Sequence, residues 1–203
     1  MKYKFPILFL CSWLPMIALA APQKFDFKDP KGVNNVVFKT DAPLESINGT
    51  ATGISGSVTF DPANPGAIQG KIIVAASSLH VGNPMMKEHL HSDKWMNVAK
   101  FPEITFEAES AANVKTVETT TTADVTGTMT IKGVSKKLTV PVRWTYLKDK
   151  LSARVPNLKG DLLVVRATFN VKRSDFGINS GAFEEKVSDV IELNLSVAGA
   201  SPR

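Results

Sequence analysis

One cysteine and three histidines in 203 residues close off several kinds of chemistry before any motif is read. A lone thiol, Cys11, cannot form an intrachain disulfide, a redox pair or a zinc–thiolate centre. Long hydrophobic runs are equally scarce. The main one, Phe5 to Ala20, is broken by Pro6 and Pro15, is preceded by Lys2 and Lys4, and ends in Ala18-Leu19-Ala20. That is the pattern of a secretory signal peptide cleaved after Ala20, and it is too short to span a bilayer comfortably. Cys11 lies inside it behind the bulky Leu10, poorly placed for a lipid anchor, so cleavage would leave a chain without any thiol in an oxidising compartment. The expected division is a signal peptide over 1–20 and one soluble domain over 21–203.

A strong charge of one sign is also missing. Loss of Lys2 and Lys4 lowers the 24 lysines and arginines to 22 against 19 acids, so the net charge falls from +5 to +3. The basic residues are scattered, Lys136-Lys137 and Lys172-Arg173 being their two adjacent pairs, and no nucleic-acid groove is expected. Gly-x-Ser-x-Gly, His-Glu-x-x-His and Ser-x-x-Lys are all absent, and the histidines crowd into one segment without an evident orienting acid. Nothing in the motifs argues for an enzyme.

What the chain does have is a period of two. Ile104, Phe106 and Ala108 alternate with polar residues, as do Val125, Gly127, Met129 and Ile131. The alternation recurs in Leu138, Val140, Val142, Trp144 and Tyr146, in Val165, Ala167, Phe169 and Val171, and in Ile191, Leu193, Leu195 and Val197. Val36-Phe38-Thr40, Ile54-Gly56-Val58-Phe60 and Ile68 to Ala76 continue it less cleanly. Each run reads as a strand with one apolar face. Turn signals separate them at Asp61 to Gly66, at the polar run Glu118 to Thr122 and at Lys132-Gly133. Eight or nine antiparallel strands without a βαβ rhythm predict an all-β barrel or sandwich.

The period fails once, between Leu79 and Phe101. Asn83-Pro84 has the form of an N-cap followed by proline at the first helical position, which predicts a short helix through His91. Ser92-Asp93 can cap a further turn through Lys94, Trp95 and Met96. On a helix His89 and His91 point about 200° apart, so they do not form a two-histidine metal site; a Met-plus-His copper site from His80, Met85 and His89 stays conceivable. The preferred reading is that Met86, Leu90 and Trp95 plug one barrel end while His91 faces water. The inward parity also carries Gly56, Gly70, Ala76, Ala108, Gly127 and Ala167. These small residues either leave the interior partly hollow or permit strand coiling and face bulky partners.

Three segments decide between these alternatives by likeness. "HLHSDKWMNVAKFPEITFEA", "GTMTIKGVSKKLTVPV" and "FNVKRSDFGI", together with "VSDVIELNLSVA", resemble the YceI-like family of secreted, lipocalin-like proteins along nearly the whole mature chain. The resemblance implies an eight-stranded antiparallel lipocalin-like barrel in the bacterial periplasm, with a short helical excursion over one end. It implies a long apolar ligand, a polyisoprenoid, a polyisoprenoid quinone or a similar lipid, held for transport, storage or buffering. It implies no enzymatic activity and no cofactor beyond such a bound lipid or quinone, and it brings transient membrane contact and a homodimer as expectations. Two departures, Trp95-Met96 in place of a phenylalanine pair and Met129 in place of leucine, point to a differently shaped pocket.

The ligand-binding residues expected on this basis are Leu90, Trp95, Phe101, Ile104, Phe106, Met129, Ile131, Val142, Trp144, Phe169, Val171 and Arg173. Phe106, Met129, Trp144 and Phe169 should line a continuous axial cavity. Arg173 continues an inward column, where an unpaired guanidinium is too costly. It should therefore pair with Asp189 or Asp175, or else lie beyond the barrel edge. The alternatives to a carrier are a small periplasmic enzyme acting on an apolar substrate and a His/Met metal-binding protein.

Overall fold

A computed structural model describes residues 21–203; the expected signal peptide, 1–20, lies outside the described residues. The alternating segments become long strands: β7 (Glu103–Val117), β8 (Thr120–Ile131), β9 (Val134–Leu147), β10 (Gly160–Lys172) and β11 (Val190–Pro202). Each pairs antiparallel with the next in chain order, and β7 also pairs back to β5 (Gln69–Ala75). In β8 the odd positions Thr121 to Ile131 are all buried and the even ones are not, as a sheet with one core face requires.

The remaining barrel positions are strands interrupted part-way. β1 (Gln23–Asp26) and β2 (Asn35–Asp41) lie end to end along β11, and β3 (Ser46–Ala51) and β4 (Ile54–Phe60) answer them across the sheet. β5 is continued, after a 3-10 turn at Ala76–Ser78, by the two-residue β6 (His80–Val81), which pairs with β3. Counting each interrupted pair as one strand, the result is a closed eight-stranded antiparallel barrel.

The hairpin that joins β8 to β9 turns on Lys132 (φ 49°) and Gly133 (φ 76°), the two positive φ angles of a type I′ turn. The other expected turn is shorter than the polar run implied. Only Glu118 and Thr119 separate β7 from β8, and Thr120 to Thr122 belong to the strand. Their branched side chains suit extended backbone. Thr121 is buried with its hydroxyl 2.9 Å from that of Thr116, and Thr120 reaches Thr145 at 3.0 Å. A solvated threonine tip is thus replaced by cross-strand hydroxyl pairs.

One end of the barrel is solid. Phe25, Phe60 and Tyr146 pack with ring centroids 5.6 to 6.3 Å apart, and Phe27, Leu151 and Leu163 are fully buried around them. Polar locks hold this end: Asp161 accepts from Tyr146 Oη at 2.7 Å and from Asp149 N–H at 2.8 Å and pairs with Arg203, while α2 (Leu151–Arg154) sends Arg154 to Asp29 at 3.0 Å.

The opposite end carries the helical excursion. α1 (Pro84–His91) starts where the sequence places it, with Asn83 Oδ1 accepting from Met86 N–H at 3.2 Å and Pro84 in the first turn. Ser92 to Met96 form hydrogen-bonded turns, with Trp95 N–H donating to Ser92 O at 3.1 Å. His91 does not face water freely. It is half-buried, and its Nε2–H donates to Leu79 O at 2.7 Å, which ties the helix to the chain just before β6.

Candidate functional site: an axial cavity

Between the aromatic plug and α1 the barrel encloses a cavity of about 850 Å³, near the upper end of the ~300–1,000 Å³ typical of small-molecule sites. Of the residues expected from sequence, Leu90, Trp95, Ile104, Phe106, Met129, Ile131, Val142, Trp144, Phe169, Val171 and Arg173 all lie in its wall. Phe101 does not. Its ring covers Gly133, where an added Cβ would come 2.6 Å from a ring carbon, so it braces the β8–β9 hairpin instead.

The small inward residues divide between the two readings. Ala108 and Ala167 line the cavity and leave its axis open. Gly127 does not add space, because the Phe106 ring occupies the place of its missing side chain, 2.7 Å from where a Cβ would stand. Gly56, at φ +106°, lets β4 press on the Lys71 carbonyl, 2.1 Å from a Cβ position, and therefore serves strand curvature. Ala76 is buried in the 3-10 turn, outside the cavity wall.

Polar groups in the wall gather at the α1 end. Glu45, His89, Asp93, Lys94, Arg173, Asn179 and Lys186 all belong to loops, α1 or the chain just after β10. The middle of the barrel offers Val125, Val140, Val142, Val165 and Ala167, none of them titratable. Met86 and Phe183 line the entrance while remaining 37% and 56% exposed, and Leu44, 69% exposed, sits on the hairpin whose Leu44 N–H donates to Glu185 O at 2.9 Å. Met85 adds a fourth exposed apolar side chain on α1.

Arg173 departs from expectation in its partner. The side chain is buried, yet among the described residues no carboxylate forms an ion pair with it. Its five guanidinium N–H groups go to backbone carbonyls: Nε to Ser188 at 3.2 Å, Nη1 to Ile178 at 2.9 Å and to Asn179, and Nη2 to Ala182 and to Val187 at 3.1 Å. A loop that curls through 178–188 presents those carbonyls in a ring, and a five-donor planar cation fits them as a point charge could not. Asp189 turns to Ser174 instead, accepting from its N–H at 2.9 Å and its hydroxyl at 2.8 Å. Burial raises the Asp189 carboxyl, but the two Ser174 bonds and the nearby Arg173 and Lys172 charges outweigh it and hold the group below the usual aspartate range. Arg173 thus fastens the entrance loop and gives its face to Trp95, whose ring centroid lies 5.8 Å from Cζ. The sequence held no signal for this clasp, since carbonyl acceptors are not written in side chains.

The sequence model of the YceI-like domain matches residues 30–198. The chain belongs to the YceI-like family. It is 33% identical over 158 residues to a UPF0312 protein of Pseudomonas aeruginosa, covering 75% of this chain and 73% of that one. A UPF0312 protein of Enterobacter is 34% identical over 157 residues, covering 77% and 75%. Among solved structures, BcnA of Burkholderia cenocepacia superposes with a TM-score of 0.65 at 22% identity, over 81% of this chain and 95% of that one. A polyisoprenoid binding domain from Saccharophagus degradans gives 0.63 at 12% identity, over 90% of this chain and all of the other. At such identities these likenesses show the shared barrel.

Proposed function

We propose that this YceI-like protein is a non-enzymatic periplasmic carrier that holds a long apolar molecule, of polyisoprenoid type, along the barrel axis. The observation that carries this reading is the cavity itself. Its wall is aliphatic and aromatic through the middle and polar only near one capped end. A catalyst would need a base, an acid or a nucleophile beside the reacting atoms, and the titratable groups in this wall stand at the entrance. The binding domain from Saccharophagus degradans has the same barrel, which supports the choice of ligand class.

The dimensions agree. From Val134 at the covered end to Trp144 near the plug, β9 runs about 33 Å at ~3.3 Å per residue, enough for several isoprene units in extended form. Burying a few hundred Å² of such a chain yields roughly 10 kcal/mol gross at ~25 cal/mol/Å², reduced by ordering costs. Leu44, Met85, Met86 and Phe183, from α1 and two loops, give the entrance an apolar lip that can rest on a bilayer during loading.

Incubating the purified protein with vesicles that contain a polyprenol, then separating protein from lipid by flotation, tests the proposal. Polyprenol should leave with the protein fraction. Its complete retention in the vesicles, with the protein folded, would contradict the carrier reading.

A further inference from the structure

β3 closes the barrel wall unevenly. On one side it pairs with β2 over six positions, from Val36↔Ala51 to Asp41↔Ser46, but on the other it meets β6 only at Gly49↔Val81 and Thr50↔His80. Ser46, Ile47 and Asn48 have no strand partner on that second side among the described residues. After Val81 the chain turns through Gly82 and Asn83 into α1 and leaves the sheet. Three residues at ~3.3 Å each make the unpaired seam ~10 Å long, and a strand edge of this kind presents free backbone N–H and C=O groups.

A side groove of about 400 Å³ lies along this seam. Glu45, Ile47, Val81 and Met86 line both the groove and the axial cavity, so the two spaces adjoin where the wall is unpaired. The rest of the groove is Ser46, Asn48, Gly82 and Asn83, all of them exposed. Glu45 is half-buried, and among the described residues no cation pairs with it. Asn83 spends Oδ1 on the Met86 N–H and keeps its amide N–H groups as donors. No lysine or arginine lines the groove among the described residues; Lys94 and Lys186 belong to the cavity wall alone. A phosphate in the groove would therefore face a carboxylate with no cation to balance it. A hydroxyl there donates a charge-assisted bond to Glu45 and accepts from Asn83.

We propose that the head of the bound lipid leaves the barrel sideways between β3 and α1 and rests in this groove, and that the head is uncharged and donates hydrogen bonds, as a hydroxyl does. The proposal rests on the carrier reading and adds the ligand's orientation and head-group class to it. The hydrocarbon alone enters the apolar middle of the barrel. The head stays at the wet surface of the wall, so loading avoids the cost of burying a polar group without partners. Glu45, at the junction of the two spaces, turns phosphorylated chains away.

The test uses geranylgeraniol, its phosphate monoester and the hydrocarbon in which CH2OH is replaced by CH3. Binding of each to the purified protein is followed by competition, and geranylgeraniol with a diazirine beside its hydroxyl is photolysed in the complex and mapped by peptide mass spectrometry. The label should fall on residues 45–48 or 82–86. The alcohol should bind about tenfold more tightly than the phosphate, and Glu45→Gln should shrink that ratio to about threefold or less. Gly82→Phe fills the groove without backbone strain, since Gly82 is not among the residues with positive φ and a Cβ there meets nothing within 4 Å; it should bring the alcohol's affinity down to that of the hydrocarbon. A phosphate that binds the wild-type protein as tightly as the alcohol, or a label confined to residues 93–95 and 178–188 or to the middle of the barrel, refutes the side groove while the carrier stands. If none of the three binds, the carrier reading fails and the groove loses its occupant. Should G82F not fold, the wild-type label map and the alcohol-to-phosphate ratio decide alone.

Discussion

Replacing Ala167 with phenylalanine separates a hollow barrel from a filled one more sharply than any truncation does. Ala167 is 6% exposed, projects inward from β10 between Val142 on β9 and Leu195 on β11, and lines the cavity. In a core packed to the usual density the added ring has no room, and overpacking costs about 1–3 kcal/mol. Here the ring meets a space of about 850 Å³. Burying a phenylalanine that finds room is favourable by ~1.5–3 kcal/mol relative to leaving it exposed, offset by the rotamer freedom it loses. The expected stability change is therefore between zero and a gain of ~1 kcal/mol. Urea unfolding of ligand-free A167F and wild-type protein measures it, with the denaturant slope reporting whether the native state stays compact. The same ring projects into the path of an extended chain, so lipid retention should fall at least tenfold. A loss of more than 1 kcal/mol on the scale of that overpacking cost, with retention unchanged, would refute the hollow-barrel argument.

Three further outcomes follow from single contacts. Trp95→Ala removes a half-buried lid residue that faces the cavity and Arg173 but leaves every strand pairing intact; ligand off-rate should rise severalfold with little change in unfolding midpoint, measured by competition release and by urea titration. Arg173→Met frees five carbonyls of the 178–188 loop; hydrogen exchange should accelerate there while β8 to β10 stay protected, and unchanged exchange would show that the loop holds its own shape. At the plugged end burial raises the Asp161 carboxyl, but Asp149 N–H, the Tyr146 hydroxyl and Arg203 outweigh it and hold the group below the usual aspartate range. Its folded pKa lies below the unfolded one, so its contribution is present above about pH 4 and is lost as pH falls through the folded value; Asp161→Asn should flatten that acid limb of the stability profile.

How far the sequence alone reaches depends on what each feature is made of. β8 to β11 follow their alternation closely, because Val125 to Ile131 or Val165 to Val171 give a strong period of two. β1, β3 and β6 escaped notice because four residues of β1, the sequence Ser46-Ile47-Asn48-Gly49-Thr50-Ala51 and two residues of β6 carry too few apolar side chains to show one. Helix α1 was legible from Asn83-Pro84, whose cap chemistry is local. The wall of the site was legible as parity, but its hollowness was not. Parity says that Phe106 and Gly127 both face inward; only the fold shows that one covers the other, so that the open space beside them comes from Ala108 and Ala167. The Arg173 clasp lay beyond reach for the same reason. It depends on where backbone acceptors stand in three dimensions.

The central claim, that the barrel is a carrier of a long apolar ligand, is met most directly by native mass spectrometry of the protein purified from its producing cell without detergent or organic solvent. The account predicts a population heavier than the bare chain by the mass of a non-covalently held lipid, released on collisional heating and identified as a long apolar chain of polyisoprenoid type. A bare chain that stays bare after exposure to polyprenol-containing membranes, or an added mass equal to a metal ion, would contradict it.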